Sequence, residues 1–181
     1  AHEADEEVVV EFVDFPDERA ATGLTLRNLR SDDPDLPRGD LVRSRLPLSG
    51  GRADRTTLRE GPVEFPTIGY RRYNGRPYRY AYLAATERGS LPTAVSKVDV
   101  KAGTEQVWSD PGTHPGEAVF VPAPDPETED DGVLLTVVLD PGAGRSELVC
   151  LDARGLDPLA RAPLPHRLPF AFHGQFYADR D

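Results

Sequence analysis

Short apolar runs interleaved with polar residues recur along the whole chain, and most carry the two-residue period of a β-strand. Val8 to Phe15 is rich in β-branched and aromatic side chains. Leu41 to Leu48 mixes apolar and polar positions in short alternation. Tyr78 to Ala84 reads Tyr-Arg-Tyr-Ala-Tyr-Leu-Ala, with an aromatic at every second position of its first half. Ala94 to Val100 alternates again, after which Lys101-Ala102-Gly103 turns the chain toward Gln106-Val107-Trp108. Val119 to Val121 predicts a short strand. Val133 to Leu139 is almost wholly apolar, as expected of a strand buried on both faces. Leu148 to Leu151 and Leu159 to Ala162 complete the series.

Helical signals are poor. The 18 prolines and 16 glycines are so spread that few windows escape them for three helical turns. Ala21 to Pro37 is ambiguous: Leu24 to Leu29 reads equally as one helical turn or another strand, and Asp32-Asp33-Pro34-Asp35 as a loop. Many short strands with frequent turn signals predict an all-β sandwich, barrel or propeller. No linker or shift in composition interrupts the 181 residues, so one domain is expected.

Charge narrows the partners. The formal net charge is −10, with no basic stripe to offset it. A nucleic-acid partner is disfavoured, because phosphate binding rests on clustered Lys and Arg. No apolar run approaches the length of a membrane helix, and no signal peptide opens the sequence. The single cysteine, Cys150, excludes an internal disulfide or a cysteine-rich zinc site and fits a reducing, cytoplasmic setting. Methionine is absent, so either the N-terminus was processed or the chain is a piece of a longer one, cut close to a strand.

Candidate chemistry is sparse. The four histidines, His2, His114, His166 and His173, show no metal-ligand spacing. His114 falls in a predicted turn and His166 in a loop between Pro165 and Arg167. His173, among Phe170, Ala171, Phe172 and Gly174, reads from spacing alone as a buried histidine with a backbone partner. No serine stands in a nucleophile elbow, and Gly142-Ala143-Gly144 does not make a phosphate loop. The acidic run Glu127-Thr128-Glu129-Asp130-Asp131-Gly132 does not match a calcium loop and is expected to be a solvated turn.

Taken together, several segments resemble one family. Gly61-Pro62-Val63-Glu64-Phe65-Pro66 and the following Tyr-rich strand resemble the Glu-Phe-Pro segment of carotenoid cleavage oxygenases. Gly116-Glu117-Ala118-Val119-Phe120-Val121-Pro122 resembles their Glu-Pro-x-Phe-Val-Pro strand. Glu129-Asp130-Asp131-Gly132, Leu151-Asp152-Ala153, Leu168-Pro169 and Phe172-His173-Gly174-Gln175-Phe176 continue the pattern in order. Ala1-His2-Glu3 resembles the end of a His-x-x-Asn-Ala-aromatic-Glu run. His2 would then replace the aromatic residue, and the ligand histidine of that run would lie upstream of Ala1. Two departures stand out: Thr67-Ile68-Gly69 differs from the usual Arg-Ile-Asn, and Ala118 replaces the common proline.

The resemblance implies an all-β fold, the C-terminal blades of a seven-bladed β-propeller, with residues 1–181 as the C-terminal part of a single propeller domain. It implies Fe(2+) on the axis, held by four histidines and steadied by three glutamates that accept hydrogen bonds from the ligand imidazoles. Carried over, His173 is the last iron ligand, and Glu64 and Glu117 are two of the glutamates. Glu64, Glu117 and His173 are 53 and 56 residues apart, near the ~40–50 residues of a blade with its loops. The implied activity is oxidative cleavage of a conjugated C=C bond in a carotenoid, apocarotenoid or stilbene-like substrate, using O2 and giving two carbonyl products. A non-oxidative isomerase-type member and a propeller that only binds a partner are the alternatives. Uptake of so apolar a substrate would suit a peripheral membrane contact. Supplying one ligand of four, residues 1–181 alone are expected to be inactive.

Overall fold

The computed structural model describes residues 1–31, 34–87, 91–170 and 173–178. Within them the chain forms three antiparallel sheets in which consecutive strands are neighbours. The first is made of β1 (His2–Ala4), β2 (Glu7–Asp14), β3 (Asp40–Pro47) and β4 (Asp54–Arg59). The second is made of β5 (Val63–Thr67), β6 (Tyr80–Ala85), β7 (Ala94–Asp99) and β8 (Thr104–Ser109). In the third, β10 (Val119–Pro122), β11 (Gly132–Asp140), β12 (Arg145–Asp152) and β13 (Pro158–Pro163) follow one another, and the two-residue β9 (His114–Pro115) also pairs with β11. Three successive meanders packed face against face are propeller blades, as expected, and not two sheets of a sandwich or one closed barrel.

The second sheet is the middle layer. Toward the first sheet it sends Ala81, Leu83, Ala85, Ala94 and Val98, which cluster with Leu41. Toward the third it sends Tyr82 and Val95, which cluster with Leu134, Val138, Val149 and Leu151. Alternate residues of one strand thus enter different cores. This corrects the reading of Val133 to Leu139: in β11 only Leu134, Thr136 and Val138 are buried. The strands buried on both faces are β6 and β7, the inner pair of the sheet that has a described sheet on either side. Their nature was masked in the sequence by polar residues that are buried as partners. Lys97, 4% exposed, donates to Asp130 (2.6 Å) and to the Arg154 carbonyl (2.9 Å).

The ambiguous stretch resolves into two single turns, α1 (Arg19–Thr22) and α2 (Leu26–Leu29). The Thr25 side chain caps α2 by accepting from the Asn28 N–H. Pro34–Leu36 belongs to neither helix nor strand, while Asp32 and Asp33 lie outside the described residues. A third turn, α3 (Tyr70–Tyr73), follows β5. Among the described residues no helix is long and apolar enough to cross a membrane.

Candidate functional site

The site lies where the second sheet, the third sheet and the segment 173–178 meet. β5 carries a bulge. Glu64 pairs with Ala84 and Thr67 with Tyr82, so three steps on β5 match two on β6. Phe65 takes up the extra residue with a left-handed backbone, φ 51°. Ala84 and Tyr82 point to the same face of β6, so the bulge puts Glu64 and Thr67 on one face too, where an unbroken strand would oppose them. Tyr82, which belongs to the core shared with the third sheet, shows which face this is.

Glu117 sits between β9 and β10 with its side chain 12% exposed. Its neighbour Gly116 is held by β11: the Gly116 N–H donates to the Val137 carbonyl (2.9 Å), and its own carbonyl accepts from the Thr136 hydroxyl (3.2 Å). The carboxylate turns toward residues 173 and 174. Oε2 accepts the Gly174 N–H at 2.7 Å, and Oε1 stands 3.4 Å from His173 Nδ1. The His173 ring also packs T-shaped with Phe65, with centroids 5.2 Å apart and planes at 80°. A carboxylate on Nδ1 favours the tautomer with its proton there and leaves Nε2 as the nitrogen for a metal.

Glu64 stands nearby but engages differently. Burial pushes its carboxyl above the ordinary value, while the Phe65 backbone N–H, which it accepts, and the field of His173 pull the other way. The structure therefore gathers His173, Glu117 and Glu64 in one place and joins only the first two by a side-chain contact. His2 is elsewhere, in β1, with Nδ1 buried and without a hydrogen-bond partner among the described residues. Burial, set partly against Glu11, holds its pKa below the ordinary value. His114 is not in a turn: it opens β9, and its Nδ1 lies 2.9 Å from the Pro92 carbonyl. His166 is in an exposed bend, as read.

Beside the pair runs a cavity of about 680 Å³, lined among others by Thr67, Glu117, Val119, Phe120, Gly174 and Phe176. A smaller one, about 200 Å³, lies between His173 and the uncovered face of β11 and β12, at Leu135, Val137 and Leu148. Among the described residues no three His, Cys, Asp or Glu side chains converge as a metal site. The donors present fit one imidazole ligand with its carboxylate partner.

The model of the retinal pigment epithelial membrane protein family, the carotenoid oxygenases, matches residues 1–178. The chain belongs to this family. A carotenoid isomerooxygenase of Galleria mellonella is 36% identical over 99% of the chain, which covers 38% of that relative. A mitochondrial carotenoid-cleaving dioxygenase of Homo sapiens is 41% identical over 65% of the chain and 20% of its own length. Among solved structures, cobalt-substituted Synechocystis ACO superimposes with a TM-score of 0.88 at 29% identity, covering 98% of this chain and 38% of the other. An ACO/RPE65 chimera gives 0.83 at 28% identity, covering 95% and 36%. The chain thus spans well under half the length of these relatives.

Two features of the site escaped the sequence. The acidic run is a turn, as expected, but only Glu127 and Thr128 are exposed, while Glu129, Asp130 and Asp131 are half-buried and partnered. Glu129 Oε1 accepts the N–H groups of Arg79 and Tyr80 (2.7 and 2.8 Å), Asp130 pairs with buried Lys97, and Asp131 pairs with Arg154 (2.9 Å). These bonds lock the loop onto the second sheet and onto the turn between β12 and β13, and nothing in the acidic pattern identifies a partner 33 residues away. Phe65 and Thr67 owe their roles to a bulge, which leaves no mark in a run as short as β5.

Proposed function

We propose that the chain is the C-terminal part of a single propeller domain, in a protein that is an Fe(II)-dependent dioxygenase cleaving a conjugated C=C bond of a carotenoid, apocarotenoid or stilbene-like substrate. The observation that carries this is the His173–Glu117 pair: an imidazole oriented through Nδ1 by a carboxylate whose other oxygen is occupied by the Gly174 N–H. Family membership, and the cobalt-substituted state of a structurally similar relative, support it.

Each group has a definable part. His173 presents Nε2 as one iron ligand. Glu117 holds the Nδ1 proton, fixing ring orientation and tautomer. Glu64, with no imidazole of the described residues hydrogen-bonded to it, is an acceptor available to a ligand histidine outside this chain. Val119, Phe120 and Phe176 offer the adjacent cavity an apolar wall that suits a conjugated chain. Ferrous iron, when bound, supplies the dioxygen chemistry that yields two carbonyl products.

In the longer protein that such a propeller requires, H173A is expected to abolish iron content and turnover. Full iron occupancy in that variant would remove His173 from the ligand set. Turnover under ¹⁸O-labelled dioxygen is expected to label both carbonyls, and unlabelled products would favour the non-oxidative reading. The moth relative's designation as an isomerooxygenase favours one variation, cleavage coupled to double-bond isomerisation. Product geometry decides between the two.

A further inference from the structure

Thr67 stands where the sequence departs from the family pattern, and it makes a contact that the pattern does not explain. Its hydroxyl donates to the Ala118 carbonyl at 2.7 Å, across the boundary between the second and third sheets. The hydroxyl also lies 3.4 Å from the Tyr82 carbonyl, its pairing partner, but one proton favours the shorter bond. Ala118 is fully buried, so its carbonyl has no water to replace that donor. It is also the residue next to Glu117.

Glu117 is therefore flanked by two anchors of different origin. On one side, Gly116 is tied to β11 of its own sheet. On the other, Ala118 is tied to β5 of the neighbouring sheet through Thr67. The first anchor sets Glu117 relative to its own blade. The second sets it relative to the strand that carries Glu64 and Phe65, whose ring packs T-shaped with His173. The bulge at Phe65 is what brings Thr67 to this face.

We infer that Thr67 is a positioning residue. Its hydroxyl registers the Glu117 strand against the Glu64 strand, so that the Glu117 carboxylate meets both His173 and the Gly174 N–H. The metal consequence rests on the iron-site reading above; the effect on the carboxylate does not.

The test uses the full-length protein with T67V, which removes the donor at nearly constant shape, and T67S, which restores it. Two quantities are read: the Co(II) dissociation constant with the visible Co(II) spectrum, and hydrogen exchange of the Gly174 amide in the metal-free protein. T67V is expected to weaken Co(II) binding about tenfold, the lower end of the range for lost outer partners of a metal ligand. It is also expected to change the spectrum and to speed Gly174 exchange, with T67S within about twofold of wild type. Unchanged affinity and exchange in T67V would overturn the inference. So would T67S behaving like T67V, which would make the role steric. Wild-type protein that takes up no metal would defeat the iron-site reading instead, and Gly174 exchange would still decide this one. Should T67V not fold, T67A removes the same donor without branched bulk.

Discussion

At the residue scale, the carboxylate of Glu117 does two things that separate on substitution. One oxygen accepts the Gly174 N–H and the other faces His173 Nδ1. E117Q preserves shape but replaces the anion with an amide. We expect metal affinity of the full-length protein to fall by about 10–100-fold, the range for lost outer partners of a metal ligand. Isothermal titration with Co(II) checks it, and an affinity equal to wild type would mean that the carboxylate does not steady the ligand. A second residue-scale case is Lys97, whose ammonium pairs with Asp130 and lies 4.2 Å from the centroid of the Tyr80 ring. K97M takes the ammonium away from half-buried Asp130, which keeps its bond from the Thr128 hydroxyl, at a cost of roughly 1–3 kcal/mol, readable by urea denaturation. The same pair sets a pH response. Burial of Asp130 raises its pKa, but hydrogen bonds from Lys97 and Thr128 outweigh it, and the net shift is downward. Asp99 is also lowered, chiefly by its bond from Arg79. A lowered folded pKa gives stability that is present above the unfolded value, about 3.9 for Asp, and is lost as pH falls toward the folded value. Stability is thus expected to decline below about pH 4, and to decline less steeply in a K97M/D130N double variant.

At the element scale, β10 and β11 show why one glycine matters. Gly132 begins β11 opposite Pro122. A Cβ there would run into backbone atoms of Val121 and Pro122, which cannot swing aside as a side-chain tip can. G132A is expected to lower stability by about 1–3 kcal/mol through this overpacking. An unchanged urea midpoint would show that the hairpin adjusts freely. The contact also accounts for the glycine that closes the Glu129-Asp130-Asp131-Gly132 run: three carboxylates bind outward from the loop, and the glycine admits the strand behind it. Strands marked by β-branched and aromatic residues, such as Val8 to Phe15, or by alternation, such as Leu41 to Leu48, were visible in the sequence and fall within a residue or so of β2 and β3. β4, with Asp54, Arg55, Thr56 and Thr57 all exposed, was not, because an outer strand needs little apolar surface. β9 and β1 were too short to carry a period.

At the scale of the whole molecule, the middle sheet is covered on both faces, while β11 and β12 turn Leu135, Val137 and Leu148 toward a cavity that His173 to Phe176 only partly covers. A propeller continues by laying another blade on such a face. Residues 1–181 expressed alone are therefore expected to bind Fe(II) more weakly than micromolar, having one imidazole of the proposed set at the site. Micromolar or tighter binding in an anaerobic titration would contradict this. The exposed β13, all six residues of it solvent-accessible, is compatible with the outermost position in its blade.

The sequence by itself determined the all-β class, most of the long strands, and the order of motifs that resemble the carotenoid oxygenases, because periodicity and local motifs are properties of neighbouring residues. It also singled out Glu64, Glu117 and His173, through that resemblance and not through spacing. Only the tertiary structure decided which of them touch: Glu117 meets His173 because Gly116 is held by one sheet and Ala118 by another, while Glu64 is turned onto Phe65 by a bulge. It likewise decided that the acidic turn clasps Lys97, Arg79 and Tyr80 instead of standing free in solvent. These outcomes depend on contacts between residues some 20 to 60 positions apart, whose partners are chosen by how the strands pair and the blades stack.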